Sequence, residues 1–84
     1  GYNPKGLFQE EAQRRVGITP TYEVLSERGP DHDKQFVVGA YLEESLVAEG
    51  KGASKQTAQQ DAARNALTAK GWQSELDEKV EPDA

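Results

Sequence analysis

Cysteine is absent from the 84 residues, and histidine occurs once. Without thiols there can be neither disulfides nor thiolate metal sites, and one imidazole is too few for a zinc site built on histidine. No apolar run approaches the ~20 residues a membrane-spanning helix needs, and no signal-peptide pattern opens the chain. The expectation is a soluble cytoplasmic domain with no membrane partner. Hydrophobic residues make up only 35% of the chain, enough for one compact domain with a small core and too little for two.

Positive charge is also scarce: 10 Lys and Arg stand against 15 Asp and Glu, for a net −5. The excess is unevenly spread. Residues 73–84 hold Glu75, Asp77, Glu78, Glu81 and Asp83 against Lys79, a net −4 that leaves residues 1–72 at −1. A near-neutral domain can still present a local basic stripe, which is what attraction to phosphate requires. The last twelve residues are acidic, contain proline and offer no apolar face. They read as a disordered tail after a domain at 1–72.

What is present has a clear order. Asn3-Pro4 supplies an N-cap followed by proline at the first helical position. Leu7, Phe8, Ala12 and Val16 then recur at helical steps until Gly17, while Lys5, Gln9 and Gln13 form a polar stripe at a spacing of four. Pro20 bars further helix, and Thr21 to Leu25 reads as a strand with Tyr22 and Val24 on one face. Arg28-Gly29-Pro30-Asp31 is turn chemistry. A second strand runs from Lys34 to about Tyr41, Glu43-Glu44 makes a tight turn, and Leu46 to Glu49 gives a short third strand. Gly50-Lys51-Gly52-Ala53 is expected to break the sheet before Ser54 caps a second helix. That helix carries Ala58, Ala62, Ala63, Ala66 and Leu67 on one side and stops at Gly71. Helix, three antiparallel strands, helix implies an α+β domain with both helices on one sheet face.

Four features could meet a ligand, and each has an ordinary structural account beside it. Gln9, Glu10 and Gln13 can exchange hydrogen bonds with base edges and ribose hydroxyls, or form a solvated helix face. Gly29-Pro30-Asp31-His32 could meet hydroxyl groups, or be a plain hairpin loop. Gly50 to Lys55 leads into a helix N-terminus that attracts phosphate, though the same residues suit simple capping. The GxxxxGK[ST] spacing of a nucleotide-binding loop is absent. The acidic residues Glu10, Glu11, Asp31, Asp33, Glu43 and Glu44 are scattered and read as solvated surface rather than a metal cluster. No nucleophile–base pair is visible, so no catalytic residue, metal site or small-molecule substrate is expected in this chain.

The order of these motifs from residue 3 to about residue 70 resembles the double-stranded-RNA-binding domain family. The Asn3-Pro4-Lys5 start, the Leu7-Phe8-Gln9-Glu10 helix and the Gly29-Pro30-Asp31-His32 loop look most like the C-terminal domain of bacterial ribonuclease III. The resemblance implies an αβββα fold with one face spanning about 16 base pairs of A-form RNA. Gln9, Glu10 and Gln13 would enter one minor groove, and Pro30, Asp31 and His32 the next. Ser54, Lys55, Gln56 and Gln59 would bridge the intervening major groove through phosphates. Where family members carry two or three cations at the start of the second helix, this chain keeps only Lys55, with Gln56 and Gln59 beside it. Lys51 and Arg64 are the candidates to compensate, and Gly6 stands where the family often has a hydroxyl. The resemblance further implies a parent ribonuclease with magnesium in a separate nuclease domain, no cofactor here, and an isolated domain that is monomeric within a parent that can form a homodimer. Two other functions remain open from sequence: a protein-interaction domain that has lost RNA contact, suggested by the thin cation set and acidic tail, and a nuclease in its own right.

Overall fold

The computed structural model describes residues 2–72. The reading of 73–84 as a disordered tail lies outside the described residues.

Helix α1 spans Pro4–Val16. Asn3 Oδ1 accepts the otherwise unpaired N–H of Gly6 at 3.3 Å, and proline at the first helical position sacrifices no hydrogen bond. Strands β1 (Thr21–Arg28), β2 (Gln35–Leu42) and β3 (Ser45–Gly52) form an antiparallel meander in the order β1-β2-β3. Helix α2 spans Lys55–Lys70, with Ser54 Oγ accepting from the Thr57 N–H at 3.1 Å. Both helices end on a glycine in the left-handed region, Gly17 and Gly71.

The architecture is the expected αβββα, but two strands are longer than their sequence suggests. β1 continues past Leu25 to Arg28 through a register shift between Val24 and Ser26, where polar side chains break the alternation. β3 continues through Gly50, Lys51 and Gly52, the stretch whose glycines predict a break in the sheet. The reason is tertiary. A Cβ on Gly50 would lie 2.0 Å from the Ala62 nitrogen and 2.5 Å from the Ala58 carbonyl oxygen. Glycine here admits the α2 backbone rather than ending the strand. The alanines at 58, 62, 63 and 66 meet that approach from the other side, and all are fully buried.

The core is one cluster: Phe8 and Ala12 from α1, Val38, Ala40 and Leu42 from β2, the alanine side of α2 with Leu67, and Trp72. Val16, expected on the apolar stripe, is instead 48% exposed. Trp72 takes the place at that end of the core. Its N–H donates to the Leu67 carbonyl at 3.0 Å, wrapping the chain back after Gly71, and its ring centroid lies 5.9 Å from that of Phe8. Two side chains of α2 also serve β3: Asp61 Oδ2 accepts the Lys51 N–H at 2.9 Å, and Asn65 Nδ2 donates to the Glu49 carbonyl at 2.7 Å. These bonds occupy backbone groups of β3 that a sheet edge would otherwise offer to another strand.

Candidate nucleic-acid interface

The 29–34 loop is shaped by Gly29, whose φ of 93° belongs to the left-handed side of the map. A Cβ there would also fall 2.2 Å from the Asp33 carbonyl oxygen, so only glycine fits the turn. The Asp33 N–H closes it by donating to the Pro30 carbonyl at 2.9 Å. Pro30, Asp31 and His32 are all exposed at the tip.

This loop and the start of α2, far apart in sequence, share one concavity of about 570 Å³. Asp31 and His32 line it from one side, Ser54, Lys55 and Gln56 from the other, with Phe36 between. Lys34 lies there too, but its ammonium is engaged by Glu27 at 2.6 Å and more loosely by Asp31 at 3.8 Å. Lys34, and more weakly Lys55, hold the Glu27 carboxyl below the usual carboxylate range. Lys55 itself has no ion pair among the described residues, so its charge is free for an anion.

One helical turn along α2, Gln59 meets α1. Lys5 Nζ donates to Gln59 Oε1 at 2.7 Å and sits 5.3 Å from the Tyr22 ring centroid. The Lys5 N–H donates to Gln60 Oε1 at 3.0 Å, and Gln60 Nε2 donates to Asn3 Oδ1 at 3.1 Å. These bonds pin the first turn of α1 to the second turn of α2. Gln9 and Gln13 follow Lys5 at steps of four, and Glu10 lies beside them; all three are exposed. Gln13 Nε2 donates to Thr19 Oγ1, which leaves its carbonyl oxygen available. Joined through Lys5, the sequence candidates form a surface path: His32 loop, Lys55 and Gln56, Gln59, then Gln9 and Gln13. Ser54 differs from the rest, because its hydroxyl is committed to the Thr57 backbone and to Thr57 Oγ1.

Lys5 and Gln60 are the positions the sequence candidates omit. Lys5 belonged to the polar stripe, but its partner lies 54 residues away and nothing local announces the bond. Two compensating cations are corrected. Arg64 follows Lys55 by nine residues, which at 100° per residue places it on the opposite side of α2, paired with Asp61. Lys51 pairs with Val37 in the sheet and belongs to the face away from the helices. Neither adds charge to the path. Among the described residues, no three acidic or imidazole groups converge on a metal site.

The path offers carboxamides and a carboxylate that suit hydroxyl groups, and ammonium groups that attract phosphates. The comparisons with known proteins agree with that chemistry. The chain is 49% identical over 63 residues to a Ribonuclease 3 of Nitratiruptor sp., covering 75% of this chain and 28% of that protein. It is 47% identical over 66 residues to the Ribonuclease 3 of Bdellovibrio bacteriovorus, covering 79% and 28%. The chain thus spans under a third of the length of these relatives. The structure of Dicer from Pichia stipitis superposes with a TM-score of 0.58 at 27% identity, over 81% of this chain and 34% of that one. The family described as the double-stranded RNA binding motif matches residues 4–69, and the chain belongs to it.

Proposed function

We propose that this chain binds double-stranded RNA by shape, as the substrate-holding C-terminal domain of a ribonuclease III. Gln9, Glu10 and Gln13 would address one minor groove and the Pro30–His32 loop the next, with Lys55, Gln56 and Gln59 against the phosphates between them. The reading rests chiefly on one observation: the family match covers the residues whose side chains form a single path over two helices and a loop. Hydrolysis, and the magnesium it needs, would belong to a nuclease domain outside this chain. Here the residues supply affinity and position only.

Titration with an RNA duplex of about 20 base pairs, longer than the ~16 base-pair footprint, and with a DNA duplex of equal length tests the proposal. RNA is expected to bind and shift the amide signals of Gln9, His32 and Lys55, with DNA much weaker because it lacks 2′-hydroxyls and A-form groove widths. Equal binding of both, or of neither at low salt, would overturn it.

A further inference from the structure

Alternation along a strand fixes which way a side chain faces, and a bulge resets it. Val24 pairs with Val38, whose side chain is buried against the helices. Unbroken alternation would set Ser26 and Arg28 on that same side. The register shift after Val24 instead pairs Ser26 with Val37 and Arg28 with Gln35, so both face away from the helices. Lys51 pairs with Val37 from β3, so Ser26, Val37 and Lys51 form one row across the outer face. Arg28 and Gln35 form the next row. β3 ends at Gly52, opposite Phe36, so that second row has no third strand beside it. The step leaves a hollow of about 300 Å³ lined by Ser26, Arg28, Gln35, Val37 and Lys51.

Hydrogen-bond donors from three strands surround the one apolar residue of this lining, and no carboxylate belongs to it. Ion pairs engage Arg14, Arg15, Lys34 and Arg64, yet neither Arg28 nor Lys51 has one among the described residues. Acidic side chains outnumber basic ones 15 to 10, so the pairing of two free cations here reflects placement by the bulge. Glu23 and Glu49 lie opposite Gly39, one same-face step past Val37, and Asp61, which accepts the Lys51 N–H, is paired with Arg64. Standard strand spacings put the Cα atoms of Arg28 and Lys51 roughly 12 Å apart, so the two long side chains can meet one anion over Val37.

The donor set selects the anion. A planar carboxylate is satisfied by one guanidinium fork, whereas a phosphoryl group has oxygens for donors on several sides. Besides the two cations, Ser26 offers an O–H and Gln35 two N–H groups. We propose that this hollow is a phosphate-binding site, with Arg28 and Lys51 as its charged contacts and Ser26 and Gln35 as neutral donors. It lies on the opposite side of the sheet from Lys55 and does not rest on the RNA reading. Arg28 and Gln35 flank the 29–34 loop, so the phosphate is either a free anion or one carried by a nucleic-acid strand passing the base of that loop. Contacts this exposed make the site weak, with a Kd on the order of 1 mM for inorganic pyrophosphate at low salt.

Titration with sodium phosphate and sodium pyrophosphate to about 20 mM, against sodium chloride of matched ionic strength, brackets that Kd. Saturating amide shifts are expected at residues 26, 28, 35, 37 and 51 with both phosphates and not with chloride. Arg28→Gln and Lys51→Gln should each weaken pyrophosphate about tenfold. Val37→Glu, which sets a carboxylate among the donors, should abolish the saturating shifts, while any at Lys55 persist in all three variants. An RNA duplex of about 20 base pairs separates the two sources of phosphate. If a bound strand supplies it, Arg28→Gln lowers the slope of log K against log salt by about one; an unchanged slope beside saturating phosphate shifts assigns the site to a free anion. Phosphate shifts no larger than chloride's together with no change in that slope would overturn the proposal. So would saturating shifts that survive in the double variant Arg28→Gln with Lys51→Gln while its spectrum stays folded.

Discussion

Glu11 lies on the covered side of α1, its side chain 7% exposed, with Oε1 taking Arg15 Nε and Arg14 Nη2 each at 2.7 Å. The Arg15 hydrogen bond leads in holding its carboxyl below the ordinary 4.5; burial opposes the shift, and Arg14 adds to it. Arg15 also lies 5.9 Å from the Trp72 ring centroid, so this ion cluster is continuous with the edge of the core. A lowered folded-state value means that the stabilisation is complete above the unfolded value and is lost as pH falls through the folded one. Urea melts are expected to show stability declining below about pH 4.5. Glu11→Gln should cost on the order of 1 kcal/mol at pH 7 and make the acid decline shallower. An unchanged acid limb would detach Glu11 from it.

Tyr22 presents the opposite case. Its hydroxyl is buried without a hydrogen-bond partner among the described residues, and burial pushes its pKa up to about 12. Between the ordinary value of 10 and about 12 the folded state holds a proton that the unfolded state releases, so stability should fall with pH across that window. Tyr22→Phe removes both that dependence and an unsatisfied donor. At pH 7 it should be neutral or stabilising by up to about 1 kcal/mol, and a loss of stability in thermal melts would reveal a partner for the hydroxyl.

At the scale of elements, the contact between β3 and α2 depends on what Gly50 lacks. Gly50→Ala puts a methyl group into the backbone of α2 at Ala58 and Ala62, and no side-chain rotation can relieve it. A loss of more than about 3 kcal/mol is expected by urea denaturation, since the helix must lift off the strand. The start of α2 carries a prediction of a different kind. Lys55→Ala should weaken RNA binding across sequences and lower the slope of log K against log salt by about one. Arg64→Ala, on the far side of the same helix, should leave that slope unchanged. Equal effects from the two would mean that charge acts diffusely rather than along the path.

For the whole molecule, the balance of charge matters more than any single contact. Residues 73–84 carry a net −4 beside a domain that is nearly neutral. Ending the chain at Trp72 removes that repulsion and keeps the tryptophan that packs on Phe8. RNA affinity should rise several-fold at about 50 mM salt and converge with that of the full chain near 1 M, where screening is complete within ~3 Å. A salt-independent gain would point to a contact other than charge.

How much was legible follows the reach of each signal. Asn3-Pro4, Ser54 and the alanine spacing of α2 fixed both helices, because caps and helical periodicity act within one or two turns. The motif order, read as a resemblance, indicated the family and the candidate positions. Tertiary structure alone decided that Gly50 and Gly52 stay in a strand and that Val16 is exposed while Trp72 is buried. It also joined Lys5 to Gln59 and set the histidine loop beside the start of α2. Each of these outcomes depends on which backbone comes close to which. Propensity and capping hold no information about contacts between residues tens of positions apart; packing against a sheet supplies it.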